Sequence, residues 1–447
     1  MNAPTDNILT YMDQGSFLGL RALGRGPVIQ YIWIYENGVD LDGLRRFHRN
    51  LQHTLVARLI ERSPLPFGRP RWVSYSGPPN LDIAVTLRGR EEVWDWVDER
   101  SFVAIDPELG PPWHLGVQPL VGGGAAVALA ISHTTGDAVA GVQAIADAVN
   151  GVHRDFGFPP AGKRSRGQAL REDLAVAARS AMKIPAAITA GVRVAREQPD
   201  DLSTSARAAS PASSGGTGQR MVVPRVYGCV RADVWDDRAR ALGGTRNVLF
   251  AGLSARLGYR LGRPDDDGRI VLAVPVSERT DGDTRANPLN SITVLADPSQ
   301  VTEDLTELRS ALKQALVQLA ETGNALLAPQ ALIPFTPKIV VRRLENLVLK
   351  VGKPVGCTNL GDLPAEANRP DGTDADFFGT RGGEAGVTAA TLERLGGHLL
   401  VSAASLRGKV WFSVASWEPG RSNTKAALAE VVGAALDDFC LPATLEC

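Results

Sequence analysis

Residues 131–141, ISHTTGDAVAG, place one histidine at the end of an apolar run and an aspartate four positions later, where a helical pattern begins. An imidazole of ordinary pKa ~6.5 can take up and return a proton near neutral pH. A strand ending at His133 would set the ring at the mouth of a cleft, and the turn TTG would bring Asp137 to the start of a helix. Two readings follow from these residues alone. His133 is a catalytic base, or it is a polar residue that closes a strand while Asp137 caps a helix.

The other side-chain chemistries are poorly served. Cys229, Cys357, Cys440 and Cys447 form no C-x-x-C pair and have no histidine at ligand spacing, so a zinc site is not expected. There is no G-x-S-x-G elbow. SAMK, residues 180–183, matches S-x-x-K but falls inside a helical stretch and reads as coincidence. The glycines of 122–124 are followed by a strand pattern, whereas a phosphate-binding loop needs a helix there. With a net charge of −1, nothing global points to nucleic acid. The first residues lack the basic and apolar regions of a signal peptide. No apolar run reaches the ~18 residues of a spanning helix. A cytoplasmic location is expected, with no metal or bound cofactor.

The elements that must position His133 can be read from periodicity. Residues 28–35, VIQYIWIY, suit a strand. Leu41, Leu44, Phe47, Leu51, Leu55 and Leu59 recur at steps of three and four, one face of a helix, with His48 and His53 as packing or surface residues beside it. Residues 115–120 and 125–131 read as two strands, and Val139, Val142, Ile145, Ala146 and Val149 as the helix after Asp137. Residues 163–197 are Ala-rich and helical in pattern, with a break at Pro185. Residues 161–199 hold eight basic and three acidic side chains, so this segment is strongly cationic. STSARAASPASSGGTG, 203–218, is a flexible linker by composition. In the second half, strands are expected at 220–230 and 269–276, helices at 245–257 (capped by Thr245), 301–321 and 423–439, and a hairpin at 397–416 around Arg407 and Gly408.

HTTGD resembles the H-x-x-x-D motif of the chloramphenicol acetyltransferase-like superfamily. Five further stretches, in chain order, resemble its wax ester synthase/diacylglycerol acyltransferase branch: MDQGSF (12–17), GPPWHL (110–115), TRNVLFAGLSARL (245–257), VPVSER (274–279) and CTNLGDLP (357–364). The fuller motif of that branch is HH-x-x-x-DG. Here Ser132 stands for the first His, Ala138 for the Gly, and Val248 for the Asp of its ND helix.

The resemblance implies an α/β fold of two similar mixed-sheet lobes with a channel between them. The lobes would span 1–160 and 221–447, with a crossover helix and linker at 161–220. It implies acyl transfer with His133 as general base, assisting an alcohol's attack on a thioester. Such assistance is worth roughly 10²–10⁴-fold. Asp137 would pair with Arg279 from the other half and hold the histidine's turn. Asn247, or polar residues of NPLNS such as Asn290 and Ser291, would donate to the oxyanion, and Asn359 would shape its loop by bonding its own backbone. Acyl-CoA is the expected cosubstrate. A carrier-protein thioester donor, as in condensation enzymes of natural-product assembly, and a non-catalytic lipid-binding role are the alternatives. The cationic 163–197 segment suggests peripheral contact with a membrane.

Overall fold

The computed structural model of the chain describes residues 7–24, 26–77, 81–189, 220–323, 325–342, 353–384 and 386–447. The first half supplies strands β1 (Pro27–Tyr35), β2 (Arg58–Glu61), β3 (Arg71–Ser74), β4 (Asp82–Ile83), β5 (Trp113–Pro119) and β6 (Ala125–Ser132). The second supplies β7 (Arg225–Arg231), β8 (Ile270–Ser277), β9 (Leu289–Ala296), β10 (Val355–Asp362), β11 (Phe377–Glu384), β12 (His398–Leu406), β13 (Lys409–Trp417) and β14 (Thr444–Glu446). One sheet has the order β11-β1-β6-β5-β4 and the other β14-β7-β13-β12-β10-β8-β9; β2 and β3 pair by themselves. Both large sheets mix parallel and antiparallel neighbours. The architecture is the expected two-sheet α/β fold.

Central placement explains the apolar run of β6. It lies between β1 and β5 and is buried along its whole length, so neither face needs polar residues. Helices α1 (Tyr11–Leu23), α2 (Leu41–Leu51), α3 (Val93–Glu99) and α4 (Ala138–Val149) belong to this half. Trp33, Phe47, Leu44 and Ile145 are buried in one core with the strands. Each such side chain stabilises the fold by roughly 1.5–3 kcal/mol. In the β1–β6 register Val28 faces Ser132, and the backbone N–H of His133 then donates to the Pro27 carbonyl at 2.9 Å. A slip of one residue would turn every side chain of β6 to the other face, so the buried pattern itself fixes where His133 emerges.

Several expected elements end elsewhere. The helix over residues 41–59 stops at Leu51, and Leu59 belongs to β2. Leu55 and Leu59 are still buried, so the periodic positions all reach the core, but from three different local conformations. His48 is buried edge-on to Trp113, and burial lowers its pKa to about 4, leaving the ring neutral. His53 stacks on His153 with ring centroids 3.9 Å apart. The helix expected at 245–257 runs Arg246–Arg260, with Thr245 accepting from the Val248 N–H. The helix α5 (Arg166–Ala181) begins at the Ser165 cap. The linker 203–218 and the end of the cationic segment, residues 190–197, lie outside the described residues.

One strand of the second half joins the sheet of the first. β11 pairs antiparallel with β1 from Pro27↔Glu384 to Ile34↔Phe377. Arg381 pins it there: its buried guanidinium donates to Gln30 Oε1, Asp98 Oδ1 and the Val97 carbonyl. Trp94 of the first half stacks on Tyr227 of the second at 4.0 Å and meets Phe377 edge-on at 5.2 Å, so aromatic packing also joins the two halves.

Candidate active site

The histidine's turn is built by short local bonds. The Thr135 N–H and hydroxyl both donate to the Ser132 carbonyl, at 3.0 and 2.8 Å, and the Thr134 N–H donates to Ser132 Oγ. Asp137 then caps α4 by accepting from the Ala140 N–H at 2.7 Å. Gly141 is required one turn later. A Cβ there would lie 2.2 Å from the Tyr31 hydroxyl, which donates to the Ala138 carbonyl. This close approach fixes the start of α4 against β1, and with it the turn that carries His133.

The two readings of Asp137 are both realised. Besides capping the helix, it forms a buried ion pair with Arg279, whose Nε and Nη2 reach its two oxygens at 3.2 and 2.9 Å. The side chains are 5 % and 3 % exposed for Arg279 and Asp137. Arg279 also donates to the Asp283, Arg285 and Ala286 carbonyls, and the Asp137 N–H donates to Ala286. The pair therefore ties the β6–α4 turn to the loop between β8 and β9.

That loop carries a residue whose role sequence reasoning missed. Asn287 Oδ1 lies 2.8 Å from His133 Nδ1, and Asn287 Nδ2 donates to the His133 carbonyl at 3.1 Å. Nδ2 also faces Asp13 Oδ1 at 3.5 Å, while the Ala286 and Asn287 N–H groups donate to the Asp13 carboxylate. A carbonyl and a carboxylate only accept, so the amide must turn its NH₂ to them and its oxygen to the ring. His133 Nδ1 must then carry the proton. In the neutral ring this leaves the lone pair on Nε2, which has no protein partner among the described residues. A half-buried imidazole held in this tautomer is equipped to accept a proton.

Arg58 completes the arrangement from β2. Fully buried and 3.9 Å above the Trp72 ring, it donates to the Thr135 carbonyl through Nε and Nη2, and to the Thr284 carbonyl through Nη1. Burial lowers its pKa to about 9, opposed by the charges of Asp13 and Asp137. Asp13, Asp137, Arg58 and Arg279 thus form a buried set of two acids and two bases around the turn. Two quoted stretches held the missed residues: Asp13 lies in MDQGSF and Asn287 opens NPLNS.

The oxyanion candidates do not bond to His133. Asn359 Nδ2 donates to Asn247 Oδ1 at 3.0 Å, and Asn359 Oδ1 accepts from the Gly361 N–H at 2.9 Å, where β10 shifts register against β12 between Asn359 and Asp362; the residue lies in a strand, not in the expected loop. Asn247 keeps its amide N–H groups without a protein partner among the described residues. Asn290 donates to Glu278, and Ser291 is exposed on β9. Among the described residues no three His, Cys, Asp or Glu side chains are grouped to hold a metal ion.

No family model matches the chain, and no curated protein matches it. Solved structures do. The first condensation domain of the calcium-dependent antibiotic synthetase, in complex with a substrate analogue, superposes with a TM-score of 0.56 at 16 % identity, covering 96 % of each chain. A nonribosomal peptide synthetase in its alpha-methyl-L-serine-AMP bound form gives 0.53 at 19 % identity over 98 % of this chain and 45 % of that one. The epimerization domain from the third module of tyrocidine synthetase B gives 0.51 at 14 % identity, covering 97 % of this chain and 96 % of that one. At these identities the likeness is one of fold. It does not single out the wax ester synthase branch. The chain has the two-lobed, chloramphenicol acetyltransferase-like fold of condensation domains.

Proposed function

We propose that the protein transfers an acyl group from a carrier-protein thioester to an amine or alcohol, with His133 as the general base. The observation that carries this reading is the Asn287-held tautomer of His133, in a chain folded like peptide-synthetase condensation domains. An amine or hydroxyl is too weak an acid to be deprotonated beforehand by an imidazole. Nε2 of His133 instead takes its proton as the new N–C or O–C bond forms at the thioester carbonyl. The carbonyl π electrons move to oxygen, giving a tetrahedral oxyanion. Collapse reforms the carbonyl, breaks the C–S bond and expels sulfur, which receives the proton from the His133 imidazolium. No covalent enzyme intermediate is needed, because the thioester is already activated. Asn247, with its free amide, is the proposed oxyanion donor, a contact typically worth ~2.7–4 kcal/mol. Asp137, Arg279, Arg58 and Asp13 act by positioning.

The resemblances of VPVSER and TRNVLFAGLSARL favour acyl-CoA as the rival donor. A direct comparison decides: the chain is supplied with the same acyl groups on a phosphopantetheinylated carrier protein and on CoA, with amine and alcohol acceptors, and products are read by mass spectrometry. Transfer from the carrier should exceed transfer from CoA by at least about tenfold. Equal or faster transfer from CoA would replace the carrier reading with the acyl-CoA one. No His133-dependent transfer from either donor would overturn both.

A further inference from the structure

The helix α5 turns Asp173 inward and its bases Arg166, Arg171 and Arg179 outward. Ala169, Asp173, Val176 and Ser180 form its buried side. Asp173 is held by Arg71 and Arg164, and Arg164 also pairs with Glu172 and with Glu61 of β2. Arg71 and Arg164 thus hold all three of these carboxylates, with Arg164 shared among Glu61, Glu172 and Asp173. The outer side is different. Leu170 and Leu174, one turn apart, are 44 % and 55 % exposed, and Met182 just beyond is 75 % exposed. Arg166 and Arg171 flank this ridge, and Lys163, Arg179 and Lys183 extend the cationic surface; all five are exposed and none has an acidic partner among the described residues.

We infer that this face docks on the surface of an anionic lipid bilayer. Exposed cations gathered along residues 163–183 repel each other until an anionic surface compensates them. The apolar ridge between them fits the boundary between headgroups and acyl chains, with the Lys and Arg stems lying along the apolar layer and their heads at the phosphates. The ridge is made of Leu, Ala and Met. It lacks the Trp and Tyr anchors that dominate protein–protein contacts, which favours lipid over an acidic protein. No helix among the described residues is long and apolar enough to cross a membrane, so the contact is shallow and reversible. The expected segment 163–197 is thereby narrowed to residues 163–183.

Co-sedimentation of the full chain with phosphatidylcholine vesicles, with or without about one-third phosphatidylglycerol, tests the inference. Binding should require the anionic lipid and weaken at high salt. Changing Arg166, Arg171, Arg179 and Lys183 together to Gln should lower partitioning by at least about a hundredfold. The circular dichroism of the variant should match that of the unchanged protein. Equal recovery with both vesicle types, no recovery with either, or an unaffected quadruple variant would overturn the assignment. Binding to polyglutamate but not to anionic vesicles would overturn it in favour of an acidic polypeptide partner.

Discussion

Replacing His133 with alanine should lower acyl transfer by at least about 10²-fold while leaving the protein folded. The ring contributes one side-chain hydrogen bond to the structure, that with Asn287, and its backbone N–H bond to Pro27 survives the substitution. The cost to stability is then no more than about 1–3 kcal/mol, the price of an unpaired Asn287 oxygen. The loss in rate has a separate origin. Without Nε2 the attacking group must release its proton to water while its bond to the thioester carbon forms. Turnover within about threefold of the unchanged protein, measured on whichever donor it accepts, would show that another group is the base.

Asp137→Asn should instead be costly to the fold. Asparagine caps a helix about as well as aspartate, so the bond from the Ala140 N–H can be kept. What is lost is the charge. Arg279 would remain buried among the Asp283, Arg285 and Ala286 carbonyls with no carboxylate. Arg58, fully buried a short way off, would also lose one of the three acids, Asp13, Asp137 and Asp283, that support its charge. Removing one partner of a buried pair costs about 3–5 kcal/mol, because the other charge stays unpaired. Equilibrium denaturation should register a loss of that size, and activity should fall with it as the turn loosens from the 279–287 loop. A change below about 1 kcal/mol would mean that the ion pair is not what secures the turn.

The parts of this site that sequence revealed are those written in contiguous motifs. His133 and Asp137 share one turn, and Arg279 follows the apolar strand β8 in a recognisable pattern. Asn287 and Asp13 act through contacts 154 and 274 residues apart in the chain, and no spacing rule predicts such pairings. Arg58 was hidden for a different reason. The periodicity of Leu51, Leu55 and Leu59 read as one helix face, because burial pattern alone does not separate a continuing helix from a turn followed by a strand. β11, FFGTRGGE, was illegible because its glycines give it little strand propensity and no alternation. Its place is set by pairing with β1 and by Arg381. The strongest elements, β1, β6 and the β12–β13 pair, carry long apolar runs that survive any context.

The account turns on His133 presenting an unprotonated Nε2, and the ring nitrogens can be observed directly. ¹⁵N NMR of histidine-labelled protein, with His133 identified among the six histidines by its disappearance in His133→Ala, reports which nitrogen of the neutral ring bears the proton. The structure predicts a protonated Nδ1 and a lone-pair Nε2 in the unchanged protein, and loss of that preference in Asn287→Leu. A neutral His133 protonated at Nε2 in the unchanged protein would contradict the base assignment.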